Sequence, residues 1–268
     1  GTPIGVCSTF IVLFIILGAF LEKTNIGTFF IDLANSIAGK ASGGPAKVAV
    51  IASALEGMYS GSSVANTVGS GSVTIPIMKK TGYDKNFAGA VEAAASTGGQ
   101  IMPPIMGAVA FIMAETLDLP YSTIVVAAII PAMFYFATCF WVVHLEAGKA
   151  GLRGMSKAEL PNPWHAVRDH WPLVLPLAAL VYLLFAGYTP IFAGTMGLAL
   201  VVVLILGTPI AAAIGPRAFR YVFWLALGLA SAAFLRYGVN LLMVVIAALV
   251  ALCVMVKGGR ETLGIVRD

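Results

Sequence analysis

Two clusters of small polar residues interrupt apolar stretches of membrane length, and the chemistry of this chain is expected there. The first is Ser60-Gly-Ser-Ser-Val-Ala-Asn-Thr67, midway between Lys47 and Lys79. Its backbone must leave helical geometry. The last carbonyls of the preceding arm, Leu55 to Met58, then project partial negative charge, and the N–H groups of residues 64–67 project partial positive charge. Cations suit the former and carboxylates the latter. The second cluster is Ser96-Thr-Gly-Gly-Gln-Ile-Met-Pro-Pro104, inside another apolar run. Proline lacks the N–H that would bond the carbonyl four residues back, so Pro103 and Pro104 are expected to free the carbonyls of Gly99 and Gln100. Carbonyls and hydroxyls without a fixed charge suit a hard, weakly bound monovalent cation such as sodium, and helices broken at the midplane are a transporter device.

Two carboxylates, Glu56 and Glu92, fall within the same apolar segments. An ionisable group at membrane depth marks function by default, while a polar contact at a helix end or between helices is equally open to both. Enzymatic readings lack their residues. A membrane serine hydrolase needs a histidine at depth, and His144 stands near a boundary. His144-Leu-Glu146 is not the HExxH of a metalloprotease, and no pair of embedded aspartates is present. His165 falls in a loop, and Cys7, Cys139 and Cys253 are scattered singly, as small hydrophobes are.

The elements that position these clusters follow from composition. Of 268 residues 59% are hydrophobic and 10% charged, against roughly 25% charged in soluble domains, which predicts an all-α integral membrane protein in a lipid bilayer. The net charge of +4 is dispersed between apolar runs, so nucleic-acid binding gets no support. A crossing helix needs about 20 apolar residues. Residues 3–21 qualify. Residues 26–38 are too short and read as an interfacial amphipathic helix with Ile26, Phe29, Phe30, Leu33 and Ile37 on one face. Between Lys47 and Lys79 two short arms, Ala46–Met58 and Val64–Met78, predict a re-entrant hairpin over 46–79 with both basic ends on the cytoplasmic side. A broken helix over 86–114 follows, then an acidic turn and a span from Tyr121 to Leu145. Residues 149–169, with Lys149, Arg153, Lys157 and Arg168, form a cytoplasmic loop. Residues 170–268 hold further transmembrane helices, over about 171–186, 191–214, 221–235 and 237–256, with Trp164, His170 and Trp171 at an interface. Arg217, Arg220, Lys257 and Arg260 fall on the inside, and Arg236 outside. Without an initial Met or a leader pattern, the sequence is expected to be an excised piece lacking a signal peptide.

These residues resemble the large membrane subunit of tripartite ATP-independent periplasmic (TRAP) transporters. The resemblance is carried by Ser60-Gly-Ser-Ser-Val-Ala65, by Ile75-Pro-Ile-Met-Lys-Lys-Thr-Gly-Tyr-Asp84, and by Ala93-Ala-Ala-Ser-Thr-Gly98 with Pro103-Pro104. The dicarboxylate branch usually has Ser after the proline pair, where this chain has Ile105. Gly98 to Glu115 and Ala186 to Ala193 are instead similar to the TAXI-type fused permeases. Residues 1–148, the first transport repeat, match strongly and the remainder weakly.

The resemblance implies an elevator-type secondary transporter that imports organic acids, handed over by a periplasmic solute-binding protein, across the bacterial inner membrane. It implies no cofactor, sodium as coupling ion, and a small membrane subunit or fused four-helix segment as partner. The sodium site would map onto Ser60, Gly61, Ser62 and Ser63 at the tip and Ser96, Thr97, Gly98 and Gly99 at the break. Asn66, Thr67, Gln100, Pro103 and Pro104 are the candidate contacts for a carboxylate substrate. With one tip motif before Asp268, only the first of two inverted repeats is expected here. A channel or structural membrane subunit without ion coupling is the alternative.

Overall fold

A computed structural model describes residues 2–24, 26–152, 154–155, 171–213, 222–224, 227, 239–255 and 262. All regular elements among them are helical. Helix α1 (Thr2–Val6), a π-helical segment (Cys7–Ile11) and α2 (Val12–Lys23) follow one another without a break. Then come α3 (Ile26–Ala38), α4 (Gly44–Ser60), α5 (Ser63–Gly69), α6 (Gly71–Lys80), α7 (Lys85–Gly98), α8 (Ala108–Leu117) and α9 (Tyr121–Lys149). A 3-10 turn (Trp171–Val174) leads into α10 (Leu175–Phe185), followed by α11 (Pro190–Ala213) and α12 (Val239–Met255). The chain divides into two units, residues 1–194 and 195–268.

Among the described residues, three helices are long and apolar enough to cross a membrane: Ile4–Lys23, Tyr121–Lys149 and Pro190–Ala211. Val126, Ile130, Met133, Phe134 and Trp141 of α9 are exposed, as a helix solvated by lipid requires. The predicted span over 171–186 starts with the 3-10 turn, and its helix, α10, has only 11 residues. The span over 221–235, the interface residues Trp164 and His170, His165, and the basic residues Arg153, Lys157, Arg168, Arg217, Arg220, Arg236, Lys257 and Arg260 lie outside the described residues.

The segment between the two lysines folds as a helical hairpin. Pro45 in the first turn and left-handed Gly43 start α4 at Gly44, two residues before the predicted boundary. The second arm is α5 and α6 together, because Ser70 keeps helical angles, its N–H bonds the Asn66 carbonyl at 3.0 Å, and its own carbonyl receives Thr74 N–H at 2.9 Å. Small residues set the packing. Ala46, Ala49 and Val50 of α4 share a core with Met78, with Ala88, Val91 and Ala95 of α7, and with Val143 and Ala147 of α9, so that backbones approach closely.

Helix α3 has its predicted bounds, yet it is no free interfacial helix. Ile26, Phe29 and Phe30 are buried, and Ile31, Ala34 and Ala38 pack on Val48 and Ala52 of α4. Ile37, predicted on the apolar face, is exposed. The amphipathic pattern is satisfied by the hairpin instead of by the headgroup layer.

The basic end of the hairpin is tied down. Lys47 is buried, donates to His144 Nδ1 at 2.9 Å and lies over the Phe140 ring. Tyr83 donates to the Gly43 carbonyl at 3.2 Å. Burial first, and Glu146 second, push its phenol up to about 12, so it stays a donor.

In the second unit, Val203, Leu206 and Ile210 of α11 share a core with Leu227 and with Leu249 and Cys253 of α12. Cys253 donates its thiol to the Leu206 carbonyl at 3.1 Å. This is a structural thiol, as its isolated position suggested.

Candidate functional site between the hairpin tip and the broken helix

The tip is built by one glycine and one cap. Gly61 takes left-handed angles (φ +57°) and reverses the chain after Ser60. Ser62 then caps α5, its Oγ accepting from Ala65 N–H at 3.3 Å and its carbonyl from Asn66 N–H at 3.0 Å. A side-chain oxygen in this place satisfies a donor that the first helical turn leaves over.

The break lies against that tip. Helix α7 ends at Gly98 and α8 resumes at Ala108, with a cis bond between Pro103 and Pro104. Backbone meets backbone at two points. A Cβ on Gly57 would stand 2.5 Å from the Gly99 Cα, and one on Gly61 would stand 2.1 Å from the Met106 carbonyl oxygen. One side-chain bond and one main-chain bond bridge the same gap. Gln100 Nε2 donates to Ser63 Oγ at 2.8 Å, and Ile105 N–H reaches the Met58 carbonyl at 3.4 Å. The far side of the break is held by Tyr121, whose hydroxyl lies on the carbonyls of Pro104 and Ile105. Its ring stacks on Phe111 at 4.4 Å, and Phe111 stacks in turn on Phe14 at 5.0 Å.

One expectation is corrected. The carbonyls of Gly99 and Gln100 are not left open by the prolines, because the chain curls back on itself. Met102 N–H reaches Gly99 at 3.3 Å and Gly107 N–H reaches Gln100 at 2.7 Å.

The candidate residues divide accordingly. Gly61, Ser63, Gly99 and Gln100 come together where the tip meets the break, while Ser60 and Ser62 belong to the tip and Pro103 and Pro104 to the break. Ser96 points its hydroxyl at Glu92 at 3.3 Å. Thr97 is exposed and bonds back to the Ala93 carbonyl at 2.8 Å, and Thr67 does the same to Ser63 at 2.8 Å. Gly98 faces α9, where a Cβ would stand 2.7 Å from Tyr135 and Phe136. Asn66 is buried behind the tip, its Nδ2 donating to the Ser53 carbonyl at 2.9 Å.

Glu92 anchors this arrangement. It is fully buried. Ser53 of the first arm donates to its Oε1 at 3.2 Å, and Ser70 and Thr74 of the second arm and Ser96 of its own helix complete a ring of four hydroxyls. Hydroxyl donors replace the water that a carboxylate loses on burial, so one side chain fastens both arms of the hairpin to α7. Composition offered a signal for this: Ser70 and Thr74, like Glu92 and Ser96, are spaced four apart and so share a helix face.

The sequence profile of the tripartite ATP-independent periplasmic transporter DctM component matches residues 2–263. The chain belongs to the DctM family. Among curated relatives it is 27% identical over 184 residues to the 2,3-diketo-L-gulonate TRAP transporter large permease protein of Escherichia coli strain K12, covering 68% of this chain and 43% of the relative. It is 30% identical over 197 residues to the C4-dicarboxylate TRAP transporter large permease protein of Rhodobacter capsulatus, covering 68% and 44%. It is 26% identical over 170 residues to the isethionate TRAP transporter permease protein of Oleidesulfovibrio alaskensis, covering 62% and 26%. This DctM chain thus spans less than half the length of these relatives. They are transporter permeases and not enzymes, and this chain is membrane-embedded as its apolar helices require.

Proposed function

We propose that this chain is part of a sodium-coupled secondary transporter that imports organic acids delivered by a periplasmic binding protein. The observation carrying the proposal is the contact of the hairpin tip with the broken helix at Gly57–Gly99 and Ser63–Gln100. Backbone-to-backbone contact leaves no pore between these segments, which favours a carrier over a channel. Sodium would be held by oxygens of Ser62, Ser63 and the neighbouring tip and break carbonyls, without formal charge. Ser96 and Thr97, bonded elsewhere, would act at most through the backbone.

In this reading the hairpin is re-entrant. Its first arm has 17 residues, roughly 26 Å at about 1.5 Å per residue, short of a hydrocarbon core of about 30 Å. The relatives are named for a diketo-gulonate, a C4-dicarboxylate and isethionate, all organic anions, which supports an organic-acid substrate class. The small membrane subunit and a bacterial inner-membrane location belong to the same proposal.

The test is uptake of labelled organic acids by the full-length protein, reconstituted with its small subunit and binding protein in proteoliposomes. Uptake is expected only with an inward sodium gradient and the binding protein present. Equal uptake without sodium overturns the coupling.

A further inference from the structure

Residues 104–107, which close the break, are gripped from two sides. The peptide unit joining Pro104 to Ile105 is trans, so its N–H and its C=O point in opposite directions. The N–H reaches the Met58 carbonyl of the tip at 3.4 Å, and the C=O accepts from the Tyr121 hydroxyl at 3.0 Å. The same hydroxyl, which has one proton to give, lies 2.5 Å from the next carbonyl, that of Ile105. Met106 follows in the left-handed region, with φ +56°. A residue with a side chain holds that conformation only where its surroundings impose it. Two contacts with the tip depend on this turn. The Met106 carbonyl abuts Gly61, and Gly107 N–H bonds the carbonyl of Gln100, whose side chain donates to Ser63.

The ring that aims the hydroxyl is fixed in turn. Tyr121 is buried, and its ring is stacked on Phe111 of α8 with 2° between the planes. Phe111 also stacks on Phe14 of α2 and, at 5.6 Å, on Phe10 of the π-helical segment. Stacking sets the plane of a tyrosine ring and leaves its polar end to find a partner. Tyr121 also opens α9, a helix of 29 residues, so the hydroxyl takes its position from a long helix and not from the segment it holds.

We infer that Tyr121 is the positioning residue of the contact between tip and break, its hydroxyl holding the Pro104–Ile105 peptide in the orientation that brings Gln100 to Ser63. Without that hydroxyl the Met106 turn relaxes toward commoner angles, and only a fraction of the molecules presents the contact. Apparent affinity for a solute bound there falls by the same fraction. The geometric part of the inference stands by itself, and its consequence for uptake rests on the carrier reading.

The test is Tyr121→Phe in the full-length protein with Ser63→Cys and Gln100→Cys, Cys7, Cys139 and Cys253 being replaced. Tyr121→Phe keeps the stacked ring. Tyr135→Phe is the comparison, because Tyr135 of the same helix donates to the Ala94 carbonyl of α7 at 2.7 Å, away from the break. Per folded molecule, Tyr121→Phe is expected to slow disulfide formation between positions 63 and 100 about fivefold, and Tyr135→Phe to leave it unchanged. With Ser63 and Gln100 in place, Tyr121→Phe should raise the organic-acid concentration for half-maximal uptake several-fold. An unchanged cross-linking rate in Tyr121→Phe, or equal slowing in both variants, overturns the inference. Slowed cross-linking in Tyr121→Phe alone upholds it even where uptake proves independent of sodium, a result that would overturn only the transport reading.

Discussion

Thr74 and Thr97 are the same residue type with opposite surroundings. Thr74 is buried and supplies the hydroxyl on Glu92 Oε2, whereas Thr97 is exposed and bonds its own helix. Thr74→Val leaves that oxygen without its donor and is expected to cost about 1–3 kcal/mol, read as a lowered unfolding temperature of the purified protein. Thr97→Val should stay within about 0.5 kcal/mol. Equal effects would mean that the hydroxyl ring does not hold the hairpin. At this scale the sequence marked Ser60–Ser63 and the proline pair correctly as places where the chain leaves helical form. It could not show that Ser96 turns to Glu92, or that Gly107 and Met102 close on the break, because those partners depend on the register of three packed helices. Glu92 was legible as a buried carboxylate, but its four donors, drawn from both arms and from its own helix, were not.

Helices were legible where periodicity and length decide them, and their partners were not. Glycine, proline and polar clusters set the ends of the hairpin arms and of the helices on either side of the break locally. The burial of α3 on α4 was missed because an apolar stripe looks the same whether it meets lipid or protein. Glycines separate contact from propensity at this scale. A methyl added to Gly89 of α7 would meet nothing within 4 Å, whereas one added to Gly57 would run into the Gly99 backbone. Gly89→Ala should stabilise the protein by up to about 1 kcal/mol and leave uptake unchanged. Gly57→Ala should abolish uptake at normal membrane abundance, because backbone on the facing segment has no rotamer with which to yield. Parallel loss of protein and uptake in Gly57→Ala would reduce the contact to ordinary packing.

For the whole molecule, composition excluded a soluble domain, and the motifs led to the family that the matched profile then established. The charge pattern leads further, to the topology. Lys40 and Lys80 are exposed near the two ends of the hairpin, whereas Lys47 is buried against His144 and unsuited to labelling. Cysteines placed at positions 40 and 80, with Cys7, Cys139 and Cys253 replaced, should both react only from the cytoplasmic side of oriented membranes. Labelling from opposite faces would make the segment a crossing.

The central claim is that tip and break form one working site, and the bond of 2.8 Å from Gln100 to Ser63 tests it most directly. Cysteines at both positions in the full-length protein should cross-link in the membrane under mild oxidation, stop sodium-dependent uptake, and recover it on reduction. Failure to cross-link, or uptake at an undiminished rate by the cross-linked protein, would contradict the account.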